Sequence, residues 1–390
     1  MDSLGSGMLR PFLLLYGIKV LGLGAATTGT AMTLGMVLGL LAVPFVGRWI
    51  DRGARTAPVA GAMLVRVLGV AVLLAPAAVG GHRLWAFTAA ALFLGIGNQC
   101  WPPAHAALVS TVADGRDRDA ALAAARSLRN AGLGAGALVA TVSMSGGTGA
   151  MRVLAAATAL GYAIAAALVS TMRVTTVRVT ASGQPRSRRS GPDRAPAARV
   201  TALDLANLPY AFCFNVLEVA LPAVLVTVLH ASPAWSAGIF VGNTVLVVAT
   251  QVAAVLWMSR RARRSVLAAA GLVLAVSYLG FWAAGSLGGW GAAAGVAAVS
   301  VLYTAGEIMY TGSAVALIAA TTAPERLGHA LARFQLTGGI GLAASPAVLL
   351  ALLSWGPGVL WGSLAAATLL GAALVHRYGP DDRATLAPTG

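Results

Sequence analysis

At 390 residues, 58% hydrophobic and only 10% charged, with a mean hydropathy of +0.80, the chain carries more apolar surface than a water-soluble fold can hide. Its net charge of +15 would suit a nucleic-acid binder, but no aromatic-basic module accompanies that charge, so no nucleic-acid partner is expected. Cys100 and Cys213 both fall inside apolar runs, which excludes a disulfide framework, and no Cys/His metal spacing occurs.

Read from the start, the polar stretch Met1–Gly7 leads straight into apolar sequence, so no cleavable leader is expected. Runs long enough to cross a hydrocarbon core of about 30 Å as helix then follow one another. They cover 9–26, 28–46, 57–80, 84–112, 121–145, 151–172, 202–229, 235–257, 265–286, 291–321, 329–354 and 357–376. This predicts an all-α integral membrane protein of twelve transmembrane helices in two six-helix pseudo-symmetric bundles. The expected organisation is a first bundle over 1–172, a linker over 173–200, a second bundle over 201–377 and a tail over 378–390. The linker, rich in Arg, Ser, Pro and Gly and without apolar periodicity, reads as flexible.

The arginines crowd alternate loops. Arg48, Arg52 and Arg55 stand in the first, Arg116 and Arg118 in the next, Arg173, Arg178, Arg186, Arg188, Arg189, Arg194 and Arg199 in the linker, then Arg260, Arg261, Arg263 and Arg264, then Arg326, then Arg377 and Arg383. The intervening loops hold little beyond Arg83 and Arg152. This bias places both termini and the linker in the cytoplasm of a cell whose inner membrane the chain crosses many times.

A constant offset of 209 positions relates the halves. It carries Arg52 and Arg55 onto Arg261 and Arg264, Gly97-Asn98 onto Gly306-Glu307, Ala107-Leu108 onto Ala316-Leu317, and Gly132-Leu133 onto Gly341-Leu342. Repeats of that length in an apolar chain predict a duplicated bundle whose halves are related by an axis along the membrane normal.

The hairpin between the second and third spans reads Gly47-Arg48-Trp49-Ile50-Asp51-Arg52-Gly53-Ala54-Arg55. It resembles the signature G-x-x-x-D-R-x-G-R-[RK] of the major facilitator superfamily, with Gly47, Asp51, Arg52 and Gly53 in their places and a one-residue departure at Ala54 and Arg55. Together with the six-plus-six repeat and the long basic central loop, it makes the chain from 9 to 376 similar to that family throughout. The first span is short for the family, as expected of a start that lacks its cytoplasmic part. Two further family motifs are incomplete: Ala91 and Leu92 stand where the fourth helix has an arginine, and Ala137 stands where the fifth-helix glycine run has proline. The resemblance implies alternating access, a central cavity lined by helices 1, 4, 7 and 10, and a conformational latch made of Gly47, Asp51, Arg52, Gly53 and Arg55.

Residues that could carry chemistry are few. Of twelve acids, ten lie in loops, tails or the linker and its edge, leaving Glu218 and Glu307 well inside spans. A carboxyl group in a bilayer is costly and marks function by default. Both are therefore candidates for proton coupling and for substrate binding, with His105 a further proton candidate. The repeat pairs Glu307 with Asn98, and Gln99, Trp101, Pro102, Pro103 and His105 follow it; two prolines in mid-helix free backbone carbonyls and bend the span. Substrate contacts are expected from Asn98, Gln99, Trp101, Tyr210, Phe214, Asn215, Tyr303 and Tyr310, with Asn207, Asn243, Gln251 and Gln335 as further hydrogen-bonding positions. Arg66 is expected to pair with a carboxylate or amide of its own half, and Arg126, Arg129 and Arg333 to reach the headgroups. No Walker A loop and no catalytic constellation appears, so an ATP-driven pump and an enzyme are not expected. The resulting expectation is a monomeric, proton-coupled exporter of an amphipathic, cationic drug or natural product, needing the lipid bilayer and a proton gradient but no cofactor. Uptake of a small metabolite by proton symport is the alternative, and a receptor or enzyme on the same scaffold a third.

Overall fold

The structure is a computed structural model; it describes residues 13, 16–75, 83–143, 147–172, 174 and 194–380, with backbone alone at 19, 25, 26, 137, 138, 140–143, 194–202 and 233. The linker arginines Arg173, Arg178, Arg186, Arg188 and Arg189, and the tail from Asp381, lie outside the described residues. No strand occurs among the described residues.

Among the described residues the helical elements follow the expected order. A π-helical turn, α1, spans Tyr16–Val20, and α2 spans Ala25–Asp51, α3 Thr56–Leu74, α4 Arg83–Val112, α5 Gly115–Ser143 and α6 Gly147–Thr171. The next element, α7, starts at Arg194, inside the stretch read as linker, and runs to Val228 in alternating α- and π-helical segments. Then come α8 over Pro233–Met258, α9 over Arg263–Gly285, α10 over Gly289–Thr321, α11 over Leu327–Ser354 and α12 over Pro357–Tyr378. Among the described residues, nine helices are long and apolar enough to cross a membrane.

Local chemistry sets the boundaries. At the start of α8 the Ser232 hydroxyl accepts the Ala234 N–H at 3.3 Å and Pro233 occupies the first turn, where its missing N–H costs nothing. Before α12, Gly356 takes φ +115°, a conformation that glycine adopts without a steric penalty, and Pro357 follows it. The repeat reappears in the helix ends: α4 stops at Val112 and α10 at Thr321, 209 positions on.

The described chain forms two compact units. Unit 1 comprises Met1–Ala113, Ala124–Thr176 and Ala323–Leu336; unit 2 comprises Asp114–Ala123, Val177–Thr322 and Thr337–Gly390. In unit 1, α2 packs on α4, and α3 packs on α4 and α6. The core there gathers Tyr16, Met63, Val70, Leu73, Phe87, Leu94 and Tyr162. In unit 2 the packing repeats, with α8 on α10 and α9 on α10 and α12, while α12 also packs on α7. Large apolar side chains such as Leu41, Trp85, Leu160 and Trp355 stay on the outside. That is a cost in water and the expected arrangement facing lipid.

Candidate functional site

The end of α2 meets the start of α11 inside unit 1. Asp51 Oδ1 accepts the Gly328 N–H at 2.7 Å and Oδ2 accepts the His329 N–H at 3.0 Å. These are first-turn amides, which have no partner within their own helix, and a carboxylate is the group the helix N-terminus favours. Gly47 and Gly328 make the approach possible: a Cβ on Gly47 would lie 2.8 Å from the Gly328 carbonyl oxygen, and one on Gly328 would strike the Gly47 carbonyl. Gly53 turns the hairpin at φ +97°. Arg55 Nη1 donates to the Ile50 carbonyl at 2.6 Å, tying the loop to the end of α2; burial holds its pKa below the usual arginine value, with Asp51 acting the other way. Arg52 is exposed.

The repeat carries Gly328 onto Asp119, and there unit 2 holds a buried ion pair. Arg263 Nε and Nη2 both donate to Asp119 Oδ2, at 2.9 and 2.7 Å, with side-chain exposures of 4% and 3%. Beside them Arg118 Nη1 donates to the Ala319 carbonyl in the last turn of α10 at 3.3 Å, where a cation opposes the helix dipole; burial lowers its pKa and Asp119 raises it. At one place the loop supplies the acid, and at the other it supplies the base.

Within unit 1 the predicted residues of α4 gather around Trp101. Its ring stacks on His105 at 4.5 Å, and the guanidinium groups of Arg66 and Arg129 lie 5.9 and 5.3 Å from its centroid, at cation-π range. Arg66, 2% exposed, donates to the Gly97 carbonyl at 3.2 Å and lies over Tyr162, so its pairing within its own half includes a backbone oxygen and two rings. Gln335 donates to Gln99 Oε1 at 2.9 Å, and Asn98 is half-buried. Arg126, Arg129 and Arg333 are half-buried as well.

In unit 2 the aromatic residues sit in the interior. Tyr210 donates to the Leu267 carbonyl at 2.8 Å, Tyr310 to Asn207 Oδ1 at 2.6 Å, and Tyr303 to the Cys213 carbonyl, where the regular α7 ladder is interrupted. Tyr210 stacks on Tyr310 at 5.0 Å, and Phe214 tilts against the same ring. Asn215 donates to the Leu342 carbonyl and to Ser345 Oγ at 3.0 and 2.7 Å, fastening α7 to α11. Glu218 is exposed on the π-helical stretch Val216–Ala220; such segments recur at functional sites.

Glu307 is 9% exposed on α10. Asn243 of α8 donates one amide hydrogen to Glu307 Oε2 and the other to Thr304 Oγ1, each at 3.0 Å. Above this pair a cavity of 360 Å³ opens between α8 and α10, walled by Trp235, Gly238, Ile239, Gly242, Leu246, Ala297, Ser300 and Val301, with Asn243 in its lining. Sequence reading named Asn243 only as a polar position and did not single out Trp235 or Ser300. It also left Asp204 at the edge of the linker, whereas the structure buries it to 7% within α7.

A duplicated bundle of apolar helices, with carboxylates and hydrogen-bonding side chains set inside the spans, is the architecture of a multi-pass membrane transporter. The sequence model of the Major Facilitator Superfamily matches residues 1–203, and the chain belongs to that superfamily. Among solved structures, the human organic anion transporter MFSD10 is similar at 17% identity, a TM-score of 0.67 and 96% coverage of both chains. The E. coli fucose:proton symporter FucP is similar at 14% identity and a TM-score of 0.66, over 96% of this chain and 95% of that one. The proton:xylose symporter XylE, bound to 6-bromo-6-deoxy-D-glucose, is similar at 13% identity and a TM-score of 0.70, over 97% and 94%. These likenesses establish a shared fold. A search among curated protein sequences finds no match.

Proposed function

We propose that the chain is a proton-coupled exporter, a monomer of the bacterial cytoplasmic membrane that moves an amphipathic, cationic compound outward by alternating access, using the proton gradient and no cofactor. The observation that carries this reading is Glu307, a carboxylate buried inside an apolar helix and held by Asn243. A charge in that setting is expensive, and transporters retain such groups to bind a cation or carry a proton. Glu307 is assigned to the substrate and Glu218, exposed on its π-helical stretch, to the proton. His105, stacked on Trp101, is the reserve proton carrier.

Proton-coupled uptake uses the same carboxylate chemistry, and FucP and XylE are proton symporters. Flux in proteoliposomes with an imposed pH gradient separates the two directions. Glu218→Gln should abolish gradient-driven movement and leave downhill exchange, because the amide mimics the protonated acid. Glu307→Gln should weaken the binding of cations by about 1–3 kcal/mol, the scale of a lost charged hydrogen bond, and spare neutral compounds. Full gradient-driven transport in both variants would remove the two acids from the coupling mechanism and leave His105 or an uncoupled carrier. Orientation is tested separately by labelling single cysteines in whole cells after replacing Cys100 and Cys213. Positions 186–194 should be reached only from the cytoplasm and 146–149 only from outside.

A further inference from the structure

The repeat that relates the two halves breaks at one seam. In unit 1, α2 and α4 meet through Gly35, Gly39 and Gly95: a Cβ on Gly35 would strike the Ala91 carbonyl, and one on Gly95 would strike the Gly35 carbonyl. The backbones themselves are in contact there. The same offset carries these positions onto Thr244, Val248 and Thr304 in unit 2. Side chains now stand where the first half has only hydrogens, so α8 and α10 cannot close in the same way, and the cavity of 360 Å³ lies along their seam.

The chemistry of that cavity is specific. Thr304 Oγ1 donates its hydrogen to the Ser300 carbonyl at 2.7 Å, so toward Asn243 it can only accept. Glu307 Oε2 accepts the second amide hydrogen. Both neighbours thus fix the orientation of the Asn243 amide and use both of its hydrogens. What the amide has left for a guest is its carbonyl oxygen, an acceptor with a carboxylate behind it. The walls are apolar, with the Trp235 indole at one side and Ile239, Leu246 and Val301 beside it. The volume lies within the range of small-molecule sites, roughly 300–1,000 Å³.

We infer that the α8–α10 cleft is a binding site for a small lipophilic ammonium ion. Its N–H group donates to Asn243 Oδ1, the Glu307 charge behind the amide favours the cation, and the hydrocarbon body lies against Trp235 and Val301, the indole adding cation-π attraction. An anion meets the wrong sign of charge in this cleft. A neutral hydrocarbon leaves the Asn243 acceptor without a donor. The inference deepens the export reading, and rests on it for the claim that the bound amine is the transported compound; binding itself requires no gradient.

The test is isothermal titration calorimetry on the full chain in detergent, with tryptamine, its neutral analogue 3-ethylindole and the anion indole-3-propionate. Tryptamine should bind, 3-ethylindole about tenfold more weakly or worse, and the anion not at all. Gly242→Leu should abolish tryptamine binding without loss of thermal stability, because a Cβ at that position meets open space. Gly238→Leu, equally open, serves if the first variant does not fold. Asn243→Leu should bring tryptamine and 3-ethylindole to similar affinity. No heat from tryptamine at millimolar concentration, equal binding of the anion, or unchanged affinity in the folded filling variants overturns the site. An amine pumped in vesicles with its affinity untouched by Gly242→Leu retires the cleft and keeps the exporter. An amine bound in the cleft but never moved against a gradient retires the exporter and keeps the cleft.

Discussion

Asp119 and Arg263 form a buried pair, with the Arg118 guanidinium 3.9 Å from the same carboxylate. Arg263→Ala takes two short hydrogen bonds from the buried Asp119 carboxylate and leaves Arg118 as its neighbouring cation, and should cost about 1–3 kcal/mol, read as a lower melting temperature in detergent. The double variant Asp119→Leu with Arg263→Met removes the pair but takes the carboxylate away from the buried Arg118, so it should recover only part of that loss. Wild-type melting of Arg263→Ala would show that the pair contributes nothing. In the sequence these two residues are an ordinary loop acid and an ordinary loop arginine, because the partner lies 144 positions away and no local pattern records it. Glu307 is the opposite case: a carboxylate in mid-span conflicts with its surroundings, and that conflict is visible without a structure. Asp204 escaped notice because it stands where the basic linker passes into the apolar run, so its polarity looked like a boundary.

At the scale of elements, hydropathy is enough to find the helices, since length and apolar character are what a membrane demands. It does not distinguish α from π winding. In α7 the π-helical stretches Val216–Ala220 and Val224–Val228 have no signal in the hydropathy pattern, nor does the bond that Tyr303 donates to the Cys213 carbonyl just before them. The two helix seams give a sharper contrast, because the same substitution should have opposite effects in them. Gly95→Ala must push α4 off α2 and should cost about 1–3 kcal/mol by overpacking. Gly242→Ala places its methyl in open space and should be neutral or gain up to about 1 kcal/mol of helix propensity. Thermal unfolding of the two variants side by side decides it, and equal destabilisation would mean that the seams are packed alike.

At the scale of the whole molecule the duplication was legible as a constant offset, whereas the division into units was not. Each unit includes a short segment from the other half of the sequence, Ala323–Leu336 in unit 1 and Asp114–Ala123 in unit 2, and position 328 and its repeat mate 119 lie in those segments. The hydrogen bonds at these positions are made between residues far apart in the chain, which is why the Asp51 hairpin could be read from its motif as an acceptor of bonds from arginines, while its actual donors, the first-turn amides of α11, could not. Under the proposed cycle this contact must form in one conformation and break in another, so it sets a conformational equilibrium and makes no contact with the transported compound. Asp51→Asn keeps one oxygen to accept a single amide and loses the charge that favours the helix N-terminus, together worth about 1–3 kcal/mol. The expected result is transport slowed at least several-fold at matched expression, with the dissociation constant for a bound amine changed little. Asp51→Ala, which accepts neither the Gly328 nor the His329 amide, should be slower still. Initial rates in proteoliposomes beside equilibrium binding make the comparison. Wild-type flux in both variants would show that the Asp51 contact holds α11 in place without governing turnover, and affinity lost in parallel with rate would move Asp51 from latch to scaffold of the binding site.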